Sequence, residues 1–471
     1  MPVEAPPSPL HLWAPLAWLP GGWREHVVAR ADADGRWAEV TAGVATPPPD
    51  ANVVDSPLLP GVVDAHSHAF QRAFVAGAET RDGEHDDFWS WRERMYDVAR
   101  RISPGQLRAV AAHLYLELLR GGYTHVCEFH YLRRDVRGRD YADPLAMSWA
   151  LAQAAADVGI GLTILPVLYE RASFATPLRD EQRRFRADAQ ETFAAAARIR
   201  AAARPLVDAG VAIHSLRAAS AEAIAALRAL CDGDPAPIHI HVAEQTGEVD
   251  ECLRATGLRP IEWLARERVL DRRWLLVHAT HASADEIAAV AASGAGVVVC
   301  PTTEANLGDG VFELPAWLAA GVPIAIGSDS QATRDWREEL RLLEYAQRLV
   351  RRARNVAAAP AEGIASTGER LFARALAGGA AAAGQPSWGL VAGARADALV
   401  VDARDPALRA VAAKRTLDAL VFSSPTLPWR DVVVAGQWRI RAGRHRGAAA
   451  IARRYAAALA ALSGSAIARP S

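Results

Sequence analysis

One residue type is almost missing from this chain. Arginine supplies nearly all the positive charge, and Lys414 is the sole lysine, remote from every motif described below. Schiff-base catalysis needs a lysine amine in the pocket, and a binuclear metal centre bridged by a carbamylated lysine needs one too; neither chemistry is expected. Net charge is also missing, since 53 Lys and Arg face 54 Asp and Glu for a formal −1. That balance leaves no electrostatic footprint for nucleic acid or an anionic membrane surface. No apolar stretch reaches the ~18 residues a membrane helix requires. No basic segment followed by an apolar core opens the sequence, so no signal peptide is expected and the expected location is cytoplasmic. The four cysteines, Cys127, Cys231, Cys252 and Cys300, form no CxxC pair and read as reduced and structural. Cys300 ends an apolar run and is taken as a small buried side chain rather than a pocket group.

What is present is a large core. With 51% apolar residues, the chain can build one large catalytic domain and a smaller partner. Eight β-like runs lie between Leu58 and Ser330: LLPGVVDAHSH, YTHVCEFHY, IGLTILPVLYE, VAIHSLR, PIHIHVAEQ, WLLVHATH, AGVVVCP and VPIAIGSDS. Between most of them lie stretches of helical period, such as PGQLRAVAAHLYLELLRGG and ADEIAAVAASG, and REELRLLEYAQRLVRRA follows the last. Alternating strand and helix predicts a parallel sheet. Eight such units over residues 58–387 fit a closed (β/α)8 TIM-like barrel; a doubly wound open sheet is the alternative, usually with fewer strands. Residues 1–57 (HLWAPLAWL, WREHVVARAD, WAEVTAG) and 388–443 (WGLVAGARADALVVDA, LDALVFSS, RDVVVAGQWRI) are β-rich. They predict a small composite β-sandwich domain built from both termini. The Ala-rich tail, 444–471, is predicted to be a surface-packed helix, and the chain is expected to form a homodimer.

The polar residues gather where these runs end: His66 and His68, Glu128 and His130, His214 and Arg217, His241 and Glu244, His278, and Asp329. A barrel brings all eight strand ends to one mouth. His66 and His68, two residues apart, share a strand face, as do His239 and His241. Candidate metal ligands are His66, His68, His241 and Asp329, a nitrogen and oxygen set suited to zinc, with room for water if the ion becomes five-coordinate. Iron or another divalent ion accepts the same donors. Such an ion lowers the pKa of bound water from about 15.7 toward roughly 7. Glu244 follows His241 closely enough to move protons, and His278 can stabilise developing charge. His239 is read as structural, His125 and His130 as core or supporting groups, and His281 as a rival to His278 or a helix cap. Asp329 alone would read as a helix N-cap; in this company it reads as functional.

These motifs resemble the amidohydrolase superfamily, specifically its mononuclear deaminase branch: His-x-His after strand one, His-x-x-Glu after strand five, His after strand six, Asp after strand eight. HSHAFQR (66–72), FWSWRERMY (88–96), EFHY (128–131), HSLR (214–217), HIHVAEQ (239–245) and TEANLGDG (303–310) narrow the resemblance to the N-formimino-L-glutamate deiminases. The resemblance implies hydrolytic deimination of N-formimino-L-glutamate, a small-molecule substrate, to N-formyl-L-glutamate and ammonia in histidine degradation. It implies one zinc per chain on His66, His68, His241 and Asp329, with Glu244 and His278 catalytic and Asp329 a second candidate proton acceptor. It also implies substrate contacts from Gln71, Arg92, Tyr131, His214 and Arg217. Arginine suits the substrate's two carboxylates through paired, charge-assisted hydrogen bonds. The family tends to have His directly after Ser-Asp-Ser, where this chain has Gln331. A deaminase of a purine, pyrimidine or other ring, or a non-catalytic barrel scaffold, are the competing readings.

Overall fold

The computed structural model describes residues 9–81, 88–423, 426 and 428–464. Eight parallel strands form the central ring: β1 (Val62–Ser67), β2 (Tyr123–His130), β3 (Gly161–Leu168), β4 (Val211–Ile213), β5 (Ile238–Val242), β6 (Trp274–His278), β7 (Gly296–Val299) and β8 (Ile324–Ile326). Each pairs with its chain neighbour. The last gap is spanned by a single parallel bridge, Ser67 to Asp329. There Asp329 N–H donates to the His66 carbonyl (2.9 Å) and His68 N–H to the Asp329 carbonyl (3.3 Å). The barrel therefore closes at its mouth, through residues singled out for chemistry, and the open-sheet alternative falls.

Every residue of β1, β2 and β3 is buried, as expected of parallel strands covered on both faces. Helices pack around them where the 3.6-residue period placed them: Pro104–Arg120, Ala284–Ser293 and Trp336–Arg351 among others. Their ends carry the usual chemistry. Ser103 and Gln106 form a reciprocal capping box ahead of Pro104, and Ser283 pairs with Glu286 in the same way.

The terminal segments make one eight-stranded sheet, in the order Gln437–Ile440, Trp429–Val434, Ala398–Val401, Leu58–Leu59, His11–Leu19, Gly22–Ala31 and Trp37–Thr41, with Asn52–Val53 beside His11–Leu19. It curls back on itself: Trp37 N–H donates to the Ala394 carbonyl (2.9 Å) and Gly393 N–H to the Trp37 carbonyl (2.7 Å). Leu12, Val27, Trp37, Leu58, Val400 and Val433 fill the interior.

Two runs depart from expectation. LLPGVVDAHSH is not one strand, because Pro60 and Gly61 break it; Leu58–Leu59 joins the terminal sheet and Val62–Ser67 the barrel. LDALVFSS is not β-structure but the helix Thr416–Phe422, which packs on the helices Trp336–Arg351 and Thr367–Ala382. Its buried Leu417, Leu420 and Val421 recur at helical spacing, a period that also passes for a short apolar strand. The tail forms the helix Ala448–Gly464, and residues 465–471 of the expected tail helix lie outside the described residues.

Candidate active site

The strand ends deliver a tight group of donors. His66 Nε2 lies 3.0 Å from His241 Nε2 and 3.4 Å from Asp329 Oδ1, and His68 Nε2 lies 3.5 Å from the same oxygen. His68 Nδ1 sits 2.9 Å from the Phe129 carbonyl. A carbonyl only accepts, so Nδ1 carries the proton and Nε2 is left bare, the tautomer a metal ligand needs. His241 is fixed by stacking on Phe129, with ring centroids 4.2 Å apart. His66 thus stands in two buried, overlapping donor groups, one with His68 and Asp329 and one with His241 and His278, the ligand atoms of each within 4.8 Å of one another. Three imidazole nitrogens and one carboxylate oxygen are a donor set suited to one divalent ion.

The surroundings hold that group in place. The Asp64 carboxylate, within β1, accepts from Ser328 N–H (2.9 Å) and Ser328 Oγ (2.6 Å) and ties β1 to the segment after β8. Burial pushes Asp64 up to about 7. Glu128 accepts from Ala69 N–H (2.6 Å) and Tyr115 OH (3.1 Å), bracing the turn after His68; burial pushes it up to about 8. Gln331 is fully buried and donates to Ser67 Oγ (3.1 Å) and the Asp329 carbonyl (2.8 Å), so the departure from the family pattern still braces the mouth. The backbone is strained here. Ala243, His278, Ala279, Asp329 and Gln331 have φ of 51°, 69°, 51°, 43° and 71°. Such non-glycine conformations cost roughly 1–3 kcal/mol each and gather at functional sites.

A second cluster surrounds His278. Its Nε2 lies 3.6 Å from Glu244 Oε1 and 3.8 Å from Asp329 Oδ2, and its Nδ1 lies 3.4 Å from Glu304 Oε1. Burial alone would lower this imidazole, but Glu244, Glu304 and Asp329 outweigh it and push His278 up to about 10. Burial raises Glu244 to about 7, with Asp329 adding to it and His278 opposing. Burial would also raise Asp329, yet His66 within hydrogen-bond reach, and His68 and His278 close by, hold it well below the carboxylate range. His66 is lowered by burial to about 3. Neutral imidazoles beside an ionised aspartate are the protonation states that metal binding requires.

All five residues expected to touch substrate, Gln71, Arg92, Tyr131, His214 and Arg217, line the cavity over this cluster, together with His68, His241, Glu244, His278 and Asp329. Gln71 Nε2 donates to Tyr131 OH at 3.4 Å. The Arg92 guanidinium lies 5.8 Å from the Tyr96 ring. Burial lowers its pKa, Tyr96 opposes that, and the charge of Arg217 adds to it. The cavity is therefore lined by two guanidiniums as well as by the carboxylates of Glu244 and Asp329.

Other histidines fall outside it. His239 Nε2 meets the Ala382 carbonyl (2.9 Å), and His125 lies between Thr163 Oγ1 (2.8 Å) and Arg395 (2.9 Å). His130 is buried. His281 caps no helix, because Ser283 does; its Nε2 donates to the Asp309 carbonyl at 2.8 Å. Asp329 is no cap either, since Asp335 caps the helix that follows. Cys300 is fully buried, with Sγ within 4.8 Å of donor atoms of His278 and Asp329. Sequence reasoning missed Glu304, Asp309 and Tyr169. Glu304 accepts from Cys300 N–H (2.9 Å) at the start of the short helix Pro301–Leu307; an acid four residues after a strand-ending Cys-Pro was the available signal. Asp309 is pushed up to about 9, by burial first and by Glu244.

The sequence profile of the amidohydrolase family matches residues 58–439. The chain is an amidohydrolase. This amidohydrolase is 44% identical to formimidoylglutamate deiminase from Pseudomonas aeruginosa over 454 residues, 94% of the chain and 97% of the relative. It is 30% identical to 8-oxoguanine deaminase of the same species, over 92% and 94% of the two chains. A crystal structure of an amidohydrolase from Brucella melitensis superposes with a TM-score of 0.91 at 40% identity, covering 96% of this chain and all of that one (100%). An adenosine deaminase from Xanthomonas campestris, solved with zinc bound, shares the fold at 21% identity and a TM-score of 0.79, with 97% and 98% covered.

Proposed function

We propose that this amidohydrolase is a formimidoylglutamate deiminase, hydrolysing N-formimino-L-glutamate to N-formyl-L-glutamate and ammonia in histidine degradation. The observation that carries the reading is one cavity lined by Arg92 and Arg217 together with the His, Asp and Glu cluster. A small dicarboxylate ending in a cationic amidine matches both kinds of lining group. An uncharged ring, the substrate type of the competing deaminases, offers no carboxylate to either guanidinium. The 44% identity to the Pseudomonas aeruginosa enzyme along nearly the whole chain supports the same substrate.

His66, His68, His241 and Asp329 would hold one divalent ion, and zinc suits three nitrogens and an oxygen, as iron does. When bound, such an ion acidifies water and polarises the carbon under attack. Arg92 and Arg217 anchor the two carboxylates, with Gln71, Tyr131 and His214 orienting the chain between them. Glu244, poised near neutrality, takes a proton from the attacking water and passes it to the departing nitrogen. His278, kept protonated by its three carboxylate neighbours, donates toward the charge that develops on the attacking oxygen. Asp329 supplies a second oxygen to the same proton traffic. The C–O bond forms, the bond from carbon to the terminal nitrogen breaks, and ammonia leaves. The partner is a small molecule, and no helix among the described residues is long and apolar enough to cross a membrane.

Product analysis by NMR on zinc-loaded protein tests this. N-formyl-L-glutamate with ammonia is the expected result. Glutamate with formamide would overturn the proton-transfer assignment, because the other C–N bond would have broken. No turnover with metal bound would overturn the substrate and turn the search to ring deaminases.

A further inference from the structure

The C-terminal helix Ala448–Gly464 reaches both segments that carry proposed substrate contacts. Ile451, Ala458 and Leu462 are buried, and with the half-buried Tyr455 between them they form a seam at helical spacing that packs on the helix Pro104–Arg120. Tyr455 stacks on His113 of that helix, ring centroids 4.0 Å apart and planes 12° from parallel. Its hydroxyl donates to the Arg72 carbonyl at 3.3 Å, directly beside Gln71.

Gln71 and Arg72 belong to one 3-10 turn, Ala69–Ala73, with opposite destinations. Gln71 lines the substrate cavity. Arg72 turns outward: its Nε and one terminal nitrogen donate to the two Glu117 oxygens (2.8 and 3.1 Å), and its guanidinium lies 5.6 Å from the Tyr455 ring. At the far end of the tail helix, Arg101 donates to the Leu462 carbonyl (2.6 Å) and to the Asp97 carbonyl (2.8 Å). Asp97 lies in the helix Phe88–Ala99 that carries Arg92.

We infer that the C-terminal helix positions the substrate-binding wall: Tyr455 holds Gln71 through the Arg72 backbone, and the Leu462 carbonyl holds the foot of the Arg92 helix through Arg101. The inference rests on the assignment of Gln71 and Arg92 made above. A 3-10 turn lacks the ladder of hydrogen bonds that fixes a strand end, so its accuracy depends on outside contacts, and a site is only as well placed as the groups that support it. Tyr455 and Arg101 touch no substrate; they are positioning residues.

Steady-state kinetics on the full, zinc-loaded chain with N-formimino-L-glutamate test it, comparing Tyr455→Phe, Tyr455→Ala, Arg101→Met and Gln71→Ala, with metal content and Tm measured on each. The expected result is a KM raised about 3- to 10-fold by Tyr455→Phe, the scale of one lost hydrogen bond. kcat and metal content should stay near wild type, with Tyr455→Ala and Arg101→Met moving KM the same way. A helix that merely stabilises the fold would lower Tm and leave KM alone; that outcome, with Gln71→Ala raising KM, overturns the positioning role by itself. If Gln71→Ala also leaves KM unchanged, the substrate assignment of Gln71 falls and takes the inference with it. Tyr455→Phe keeps the ring and the stack, so the test stands even if Tyr455→Ala does not fold.

Discussion

At the scale of the single residue, the proposed chemistry turns on Glu244. Its carboxylate is buried, close to His278, and raised to about 7, so it can both take and return a proton near neutral pH. Glutamine keeps its size and hydrogen-bonding reach but cannot carry the proton. Glu244→Gln should lower kcat by about 10²- to 10⁴-fold, the usual worth of general acid–base catalysis. Metal content by elemental analysis should stay at the wild-type level, since Glu244 is not among the proposed ligands. Loss of metal together with activity would reassign Glu244 as a ligand.

At the scale of the element, the site depends on how closely β8 approaches β1. A Cβ on Gly327 would fall 2.7 Å from the His66 Cβ and 2.9 Å from the His66 backbone nitrogen, distances no side chain tolerates. This glycine is there for proximity, lying in the segment that carries Asp329 and the closing bridge. Gly327→Ala should push the two strand ends apart and separate His66 from Asp329. The expected outcome is a fall in bound metal and in activity together, with far-UV circular dichroism unchanged; a fully metallated, active variant would show that the closure has slack.

At the scale of the whole molecule, the ring is joined at its last gap by one bridge beside the donor cluster. An ion held there would therefore fasten the two ends of the barrel to each other. Binding to the folded state alone stabilises it by mass action. Removing metal with a chelator should lower Tm, and added zinc should restore both Tm and activity. An unchanged Tm would mean that the closure stands without the ion. The curled terminal sheet adds a second small core, joined to the barrel at Pro60–Gly61, where the chain passes from one sheet to the other.

Much of this was legible in the sequence by itself. Runs of Val, Ile and Leu ending in polar residues mark parallel strands because both faces of such strands are buried, and those runs became the eight barrel strands. His66-x-His68 was readable because side-chain direction alternates along a strand, and Glu244, His278 and Asp329 because they stand at or just past the ends of apolar runs that a barrel gathers at one mouth. Only the tertiary structure decided the rest. It turned LDALVFSS into a helix, since a short apolar run takes its form from whatever it packs against. It brought Glu304 to His278 and Gln331 to Ser67, contacts between strand ends that no local period encodes. It also set Tyr455 against Arg72 across most of the chain, a pairing that exists because the tail helix packs on the helix Pro104–Arg120.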